Sequence, residues 1–87
     1  MKPTFYIVTV YIDFQCGIDS LCLKLKTINS EFNIMDNVAV IFMCRSKDKI
    51  KILYWGEDGF WLIYNRLEES KYIWIKEQNN LLEITYK

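Results

Sequence analysis

The chain has 87 residues, of which 52% are hydrophobic and 16% aromatic, and its eleven basic and eleven acidic side chains cancel to a net charge of zero. A folded globular chain of that size buries roughly 60–65% of its unfolded surface, so intrinsic disorder is excluded and the core is small. A neutral chain is not drawn broadly onto nucleic acid or anionic lipid, and any such binding has to come from a local patch.

The first predicted strand covers residues 5–12, rich in Tyr, Ile, Val and Thr. This N-terminal run is too short and too polar for a signal peptide or membrane span. After Asp13 the apolar period changes to three and four: Phe14, Ile18, Leu21, Cys22, Leu25 and Ile28 fall on one side of a helix over residues 14–29. Asp13 is placed to cap it. Gly17, inside its first turns, suits a close approach to another backbone.

A second strand is expected over residues 37–44, a turn over 45–48, and a third strand over 49–55. Gly56-Glu57-Asp58-Gly59 reads as a hairpin turn using positive φ. A fourth strand follows over 60–67, a fifth over 71–76, and a last apolar piece over 81–86. The expected fold is α+β: one domain spanning 1–87, an antiparallel meander of about five strands in the order β-α-β-β-β-β, with one amphipathic helix packed on one face.

Residues 49–67 raise a specific question. Both parities of each ribbon are apolar: Ile50, Ile52 and Tyr54 against Lys51, Leu53 and Trp55, then Phe60, Leu62 and Tyr64 against Trp61, Ile63 and Leu67. One helix covers one face of a sheet. The other face is expected to meet a partner or a second copy of the chain, with Trp55 or Trp61 as its anchor. Arg45, Lys47, Lys49 and Lys51 stand beside these aromatics. Such a mixture can track phosphates and stack bases, or the lysines can simply blunt an edge strand.

Histidine is absent, which removes nucleophilic triads of the Ser-His and Cys-His type. Cys16, Cys22 and Cys44 lack CxxC spacing and are too few for a structural zinc site, so they are expected to be reduced thiols in a cytoplasmic protein. No glycine-rich phosphate loop occurs. Asp13, Asp19, Glu57 and Asp58 read as cap, helix-start and turn residues, not as metal-binding pairs. No cofactor and no catalytic residue is expected.

The segment IFMCRSKDKIKILYWGEDGFWLIYNRLE, residues 41–68, resembles the signature of the TnpB-type accessory protein encoded by the second reading frame of IS66-class bacterial insertion elements. The matching positions include Phe42, Arg45, Lys51, Leu53, Trp55, Asp58, then GFW at 59–61, Tyr64, and RLE at 66–68, followed by Tyr72 and Trp74. The stretch DFQCGIDSL at 13–21 is similar to a second block of that family. Three departures stand out: Gln15-Cys16 replaces an Arg-Lys pair, Asn65 replaces a lysine, and the family's leucine-rich C-terminal segment has at most a short counterpart. The resemblance implies a non-catalytic protein that assists transposition through contacts with the transposase, another element-encoded protein or a second copy of itself, with no membrane involved. The alternative is a small nucleic-acid-binding module using Arg45, Lys47, Lys49, Lys51 and Arg66 with exposed rings.

Overall fold

A computed structural model describes residues 2–73 and 80–84. Its elements are β1 (Thr4–Val8), α1 (Ile18–Ile28), β2 (Val38–Met43), β3 (Lys49–Trp55), β4 (Phe60–Arg66) and β5 (Leu81–Ile84). The α+β class and the order of elements agree with expectation. The purely antiparallel meander does not, because β1 and β2 run parallel, from Thr4 opposite Val38 to Ile7 opposite Ile41. The helix is the reason. A strand-helix-strand crossover returns the chain to the end from which it left, so the second strand repeats the direction of the first. β2, β3 and β4 do form an antiparallel meander. β5 then pairs antiparallel with β1 at the far edge, giving the strand order β4-β3-β2-β1-β5.

The helix is shorter than its periodicity suggests. Asp13 does not cap it: its Oδ1 accepts the Gln15 N–H at 2.9 Å, and the Asp13 carbonyl accepts the Cys16 N–H at 3.1 Å. These bonds close a local turn that competes with helix. Gly17 is the N-cap, in extended conformation (φ −92°, ψ −171°), with no side-chain cap, and its carbonyl accepts the Leu21 N–H at 3.0 Å. A Cβ added at Gly17 would meet nothing within 4 Å, so no close backbone approach explains the glycine. From Ile18 onward the expected apolar side holds. Leu21 and Leu25 are buried, and Ile18, Cys22 and Ile28 pack around them. Phe14 precedes the helix and lies against Tyr64, ring centres 5.4 Å apart.

The core is the layer between α1 and the sheet. Val8, Val40, Phe42, Leu53 and Leu21 are fully buried there, and full burial of side chains this size stabilises the fold by about 1.5–3 kcal/mol each. β1 stops at Val8, short of the expected residue 12. Ile12 rejoins the sheet as a single parallel bridge to Cys44. The β3–β4 hairpin closes with Gly56 N–H donating to the Gly59 carbonyl at 2.8 Å. Its glycines do not use positive φ; among the described residues the left-handed ones are Asn37 (φ 52°) and Lys47 (φ 64°). Of the strand expected over 71–76, residues 71–73 are not in a strand and 74–76 lie outside the described residues, as do 85 and 86 of the last apolar piece. The Tyr72 N–H donates to the Lys47 carbonyl at 2.7 Å, which ties this segment to the turn before β3.

Candidate functional site

Strand register resolves which parity of the hairpin faces which way. Lys51, Leu53 and Trp55 stand opposite Tyr64, Leu62 and Phe60. Leu53 is in the core with Phe60 and Leu62 against it, so this is the helix side. Trp55 is half-buried there, edge-on to Phe60 at 4.9 Å. Ile50, Ile52 and Tyr54, with Asn65, Ile63 and Trp61 opposite, occupy the other face. Of the two candidate anchors, the structure therefore puts Trp61 and not Trp55 on the open face.

Two apolar rows cross all five strands on that face. One runs Leu82, Ile7, Ile41, Ile52, Ile63; the other runs Ile84, Phe5, Ala39, Tyr54, Trp61. A sheet face in water would carry polar side chains at these positions. Ala39 is the small residue in a row of large ones. Its methyl group leaves a hollow of about 520 Å³, walled by Pro3 and Phe5 on one side and by Tyr54, Trp61, Ile52 and Ile63 on the other. Ala39 is 3% exposed at the floor, whereas Trp61 is 66% and Ile63 52% exposed at the rim. Gly56 lets the indole take this place: a Cβ there would come within 2.9 Å of Trp61 Nε1.

Phe5, Ile7 and Ala39 were not among the expected site residues. The signal was present, since β1 and β2 are apolar at both parities just as β3 is. What the sequence could not supply was the register that lines these residues up with Trp61.

The basic residues gather at the opposite end of the sheet, and the structure uses them unequally. Lys51 is buried, its Nζ donating to the carbonyls of Phe14 and Cys16 at 2.6 Å each. It is a structural clamp and is not open to a partner, contrary to expectation. Lys49 pairs with Asp48 at 3.0 Å, and Arg66 with Glu68 at 2.9 Å. Arg45 and Lys47 lie over the Tyr11 ring, 5.5 and 6.0 Å from its centre. Tyr11, Asp13, Phe14, Arg45 and Ser46 border a cleft of about 450 Å³. The lysines do not blunt an edge, because β3 lies inside the sheet between β2 and β4.

Burial pushes the thiol pKa of Cys44 and of Cys22 upward, which disfavours the nucleophilic thiolate. Among the described residues, no group of three or more Cys, Asp or Glu is placed to hold a metal, and no helix is long and apolar enough to cross a membrane.

These features define a small α+β protein in which, among the described residues, an apolar sheet face exposes Trp61 and Ile63 at the rim of a hollow. The chain belongs to the IS66 Orf2-like family: the model described as "IS66 Orf2 like protein" matches residues 3–87, nearly the whole chain. It is thus related to the accessory proteins of insertion sequences. It is 25% identical over 80 residues to the uncharacterized protein y4hO of Sinorhizobium fredii, a match covering 92% of this chain and 69% of that relative. No solved structure matches.

Proposed function

We propose that the chain acts as a single, non-catalytic accessory domain in the cytoplasm that assists transposition by docking an element-encoded protein, foremost the transposase, onto its open sheet face. The observation that carries this reading is the exposed Trp61 and Ile63 at the rim of a hollow floored by Ala39. A pocket of this size and apolar lining accepts a large apolar side chain from a partner, and tryptophan is enriched where interface energy concentrates. Membership of the insertion-sequence family supports the choice of an element-encoded occupant.

The test is binding of purified transposase from the same element, measured by calorimetry. Trp61→Ala is expected to weaken it about thirtyfold, corresponding to a hot-spot loss near 2 kcal/mol. Leu23→Ala, an exposed position on the helix away from the sheet, should leave affinity unchanged. Equal affinity for wild type and a folded Trp61→Ala variant would remove the reading.

A second reading rests on Arg45 and Lys47 over Tyr11 beside the 450 Å³ cleft. These two cations have no carboxylate within ion-pair distance among the described residues, and with the ring they could hold a nucleic-acid strand. Two phosphate contacts predict a log–log salt slope of only about −1.8 on duplex DNA. That weak dependence should vanish in the Arg45→Ala, Lys47→Ala double variant. DNA binding that survives the double variant would rule this surface out.

A further inference from the structure

We infer that β4 is the contact by which two copies of this chain join edge to edge into one continuous ten-stranded sheet. The inference rests on the backbone edge of β4 and not on the docking reading above, although Trp61 and Ile63 border both surfaces.

The argument starts from backbone hydrogen bonds. The Gly56 N–H bonds to the Gly59 carbonyl and the Leu67 N–H to the Asp48 carbonyl, so both ends of the hairpin ladder are fixed. Bonded and non-bonded pairs alternate along an antiparallel ladder. Trp61, Ile63 and Asn65 therefore turn their backbone groups inward to β3. Phe60, Leu62, Tyr64 and Arg66 turn theirs outward, and among the described residues none of those four N–H groups or carbonyls meets a partner. Neither face shields the strand: Tyr64 on the helix side is 45% exposed and Ile63 on the open side 52%. β4 has seven residues, FWLIYNR, without proline or lysine and with Arg66 as its sole charge. Proteins usually protect such an edge with charge, proline or a short strand. The opposite edge, β5, is only four residues long and carries Glu83.

The occupant follows from self-complementarity. With a two-fold axis through Ile63, Leu62 faces Tyr64 of the second copy and Phe60 faces its Arg66. All four outward residues then form bonded pairs, and no like charges meet. On the open face Ile63 meets Ile63, and Trp61 meets Asn65. The isoleucine row from Ile7 to Ile63 runs on into the second copy, and both hollows open on the same side. The contact is isologous and closes on itself.

Sedimentation of the full chain over a concentration series should show dimer by about 100 μM. Ile63→Lys places like charges across the axis and is expected to weaken the dimer roughly tenfold or more, with an unchanged circular dichroism spectrum. A crosslinking pair fixes the register independently of that variant's folding. In a Cys16→Ser, Cys22→Ser background, Ile63→Cys should form a disulfide between copies, since opposed non-bonded pairs sit within disulfide reach. Trp61→Cys should crosslink when mixed with Asn65→Cys and not with itself. A monomer at that concentration overturns the inference. So does a dimer indifferent to Ile63→Lys that yields no Ile63→Cys crosslink, because it would use another surface.

Discussion

The Nζ of Lys51, on β3, lies 2.6 Å from the carbonyl oxygen of Phe14, in the loop that enters α1. A second bond of equal length reaches the Cys16 carbonyl. One buried ammonium thus holds the turn before the helix down on the sheet, and the phenyl ring of Phe14 sits 5.4 Å from the same nitrogen. Lys51→Met keeps the aliphatic stem and strips both carbonyls of their donor. The expected loss is about 1.5–3 kcal/mol by urea titration. A loss below roughly 0.5 kcal/mol would mean that water replaces the ammonium without cost.

The turn between β2 and β3 should carry an acid-range titration. The Ser46 hydroxyl bonds to the Asp48 carboxylate and Lys49 adds a second bond, holding its pKa at about 2 against an ordinary 3.8. A depressed carboxylate pKa stabilises the folded state above the ordinary value. That contribution falls away as pH drops from about 4 toward 2. Ser46→Ala removes the largest cause, so the Asp48 midpoint should rise toward its ordinary value in a carboxyl-carbon NMR titration. An unmoved midpoint would assign the shift to Lys49 alone.

Gly17 offers a stabilising change. It is the helix N-cap, its backbone is extended, no side chain caps the helix, and a Cβ there has open space. Gly17→Ser supplies a cap oxygen and reduces the freedom of the unfolded chain. The expected gain is about 0.5–1 kcal/mol, read as a higher urea midpoint. A glycine needed for conformation or close packing would instead make the variant less stable.

The helix itself supplies an internal contrast. Leu25 is 2% exposed and Leu23 69% exposed, two residues apart on the same helix. Leu25→Ala should cost about 2–5 kcal/mol. Leu23→Ala should stay within about 0.5 kcal/mol of wild type. Comparable losses at the two sites would place the helix in a different rotation about its axis.

Local pattern made several elements legible. The three-four spacing from Ile18 to Ile28 located the buried side of α1, and the Gly56–Gly59 punctuation located the hairpin. Asp13 misled because a capping residue and an Asx-turn residue look alike in sequence; only the bond to Gln15 N–H separates them. The parallel pairing of β1 with β2 was missed for another reason: alternation along a strand does not say which strand lies beside it, and the crossover helix fixes the direction only once β1 and β2 are neighbours. The same limit explains the site. Trp61 was a candidate from composition, but the hollow depends on Ala39, twenty-two residues upstream, sharing its row. The four basic residues at 45–51 looked equivalent by spacing. Their contacts in the fold divide them into one clamp, one ion pair with a chain neighbour and two cations resting on a ring.

Gly56→Ala tests the geometry of the proposed docking surface without touching any residue that lines it. The added methyl would lie 2.9 Å from Trp61 Nε1 and 3.1 Å from Cδ1, so the indole must turn. Gly56 has no positive φ, and alanine can follow its backbone, so the hairpin bond to Gly59 should persist. Moving a side chain some 30° off its preferred rotamer costs about 0.5–1.5 kcal/mol, and the stability change should be of that size. The Trp61 indole N–H resonance should shift while the Trp55 resonance stays in place. If the rim orientation of Trp61 anchors the transposase, affinity falls in Gly56→Ala although every docking side chain is retained. A variant that moves the Trp61 resonance and leaves affinity intact would mean that the partner does not rest on this ring.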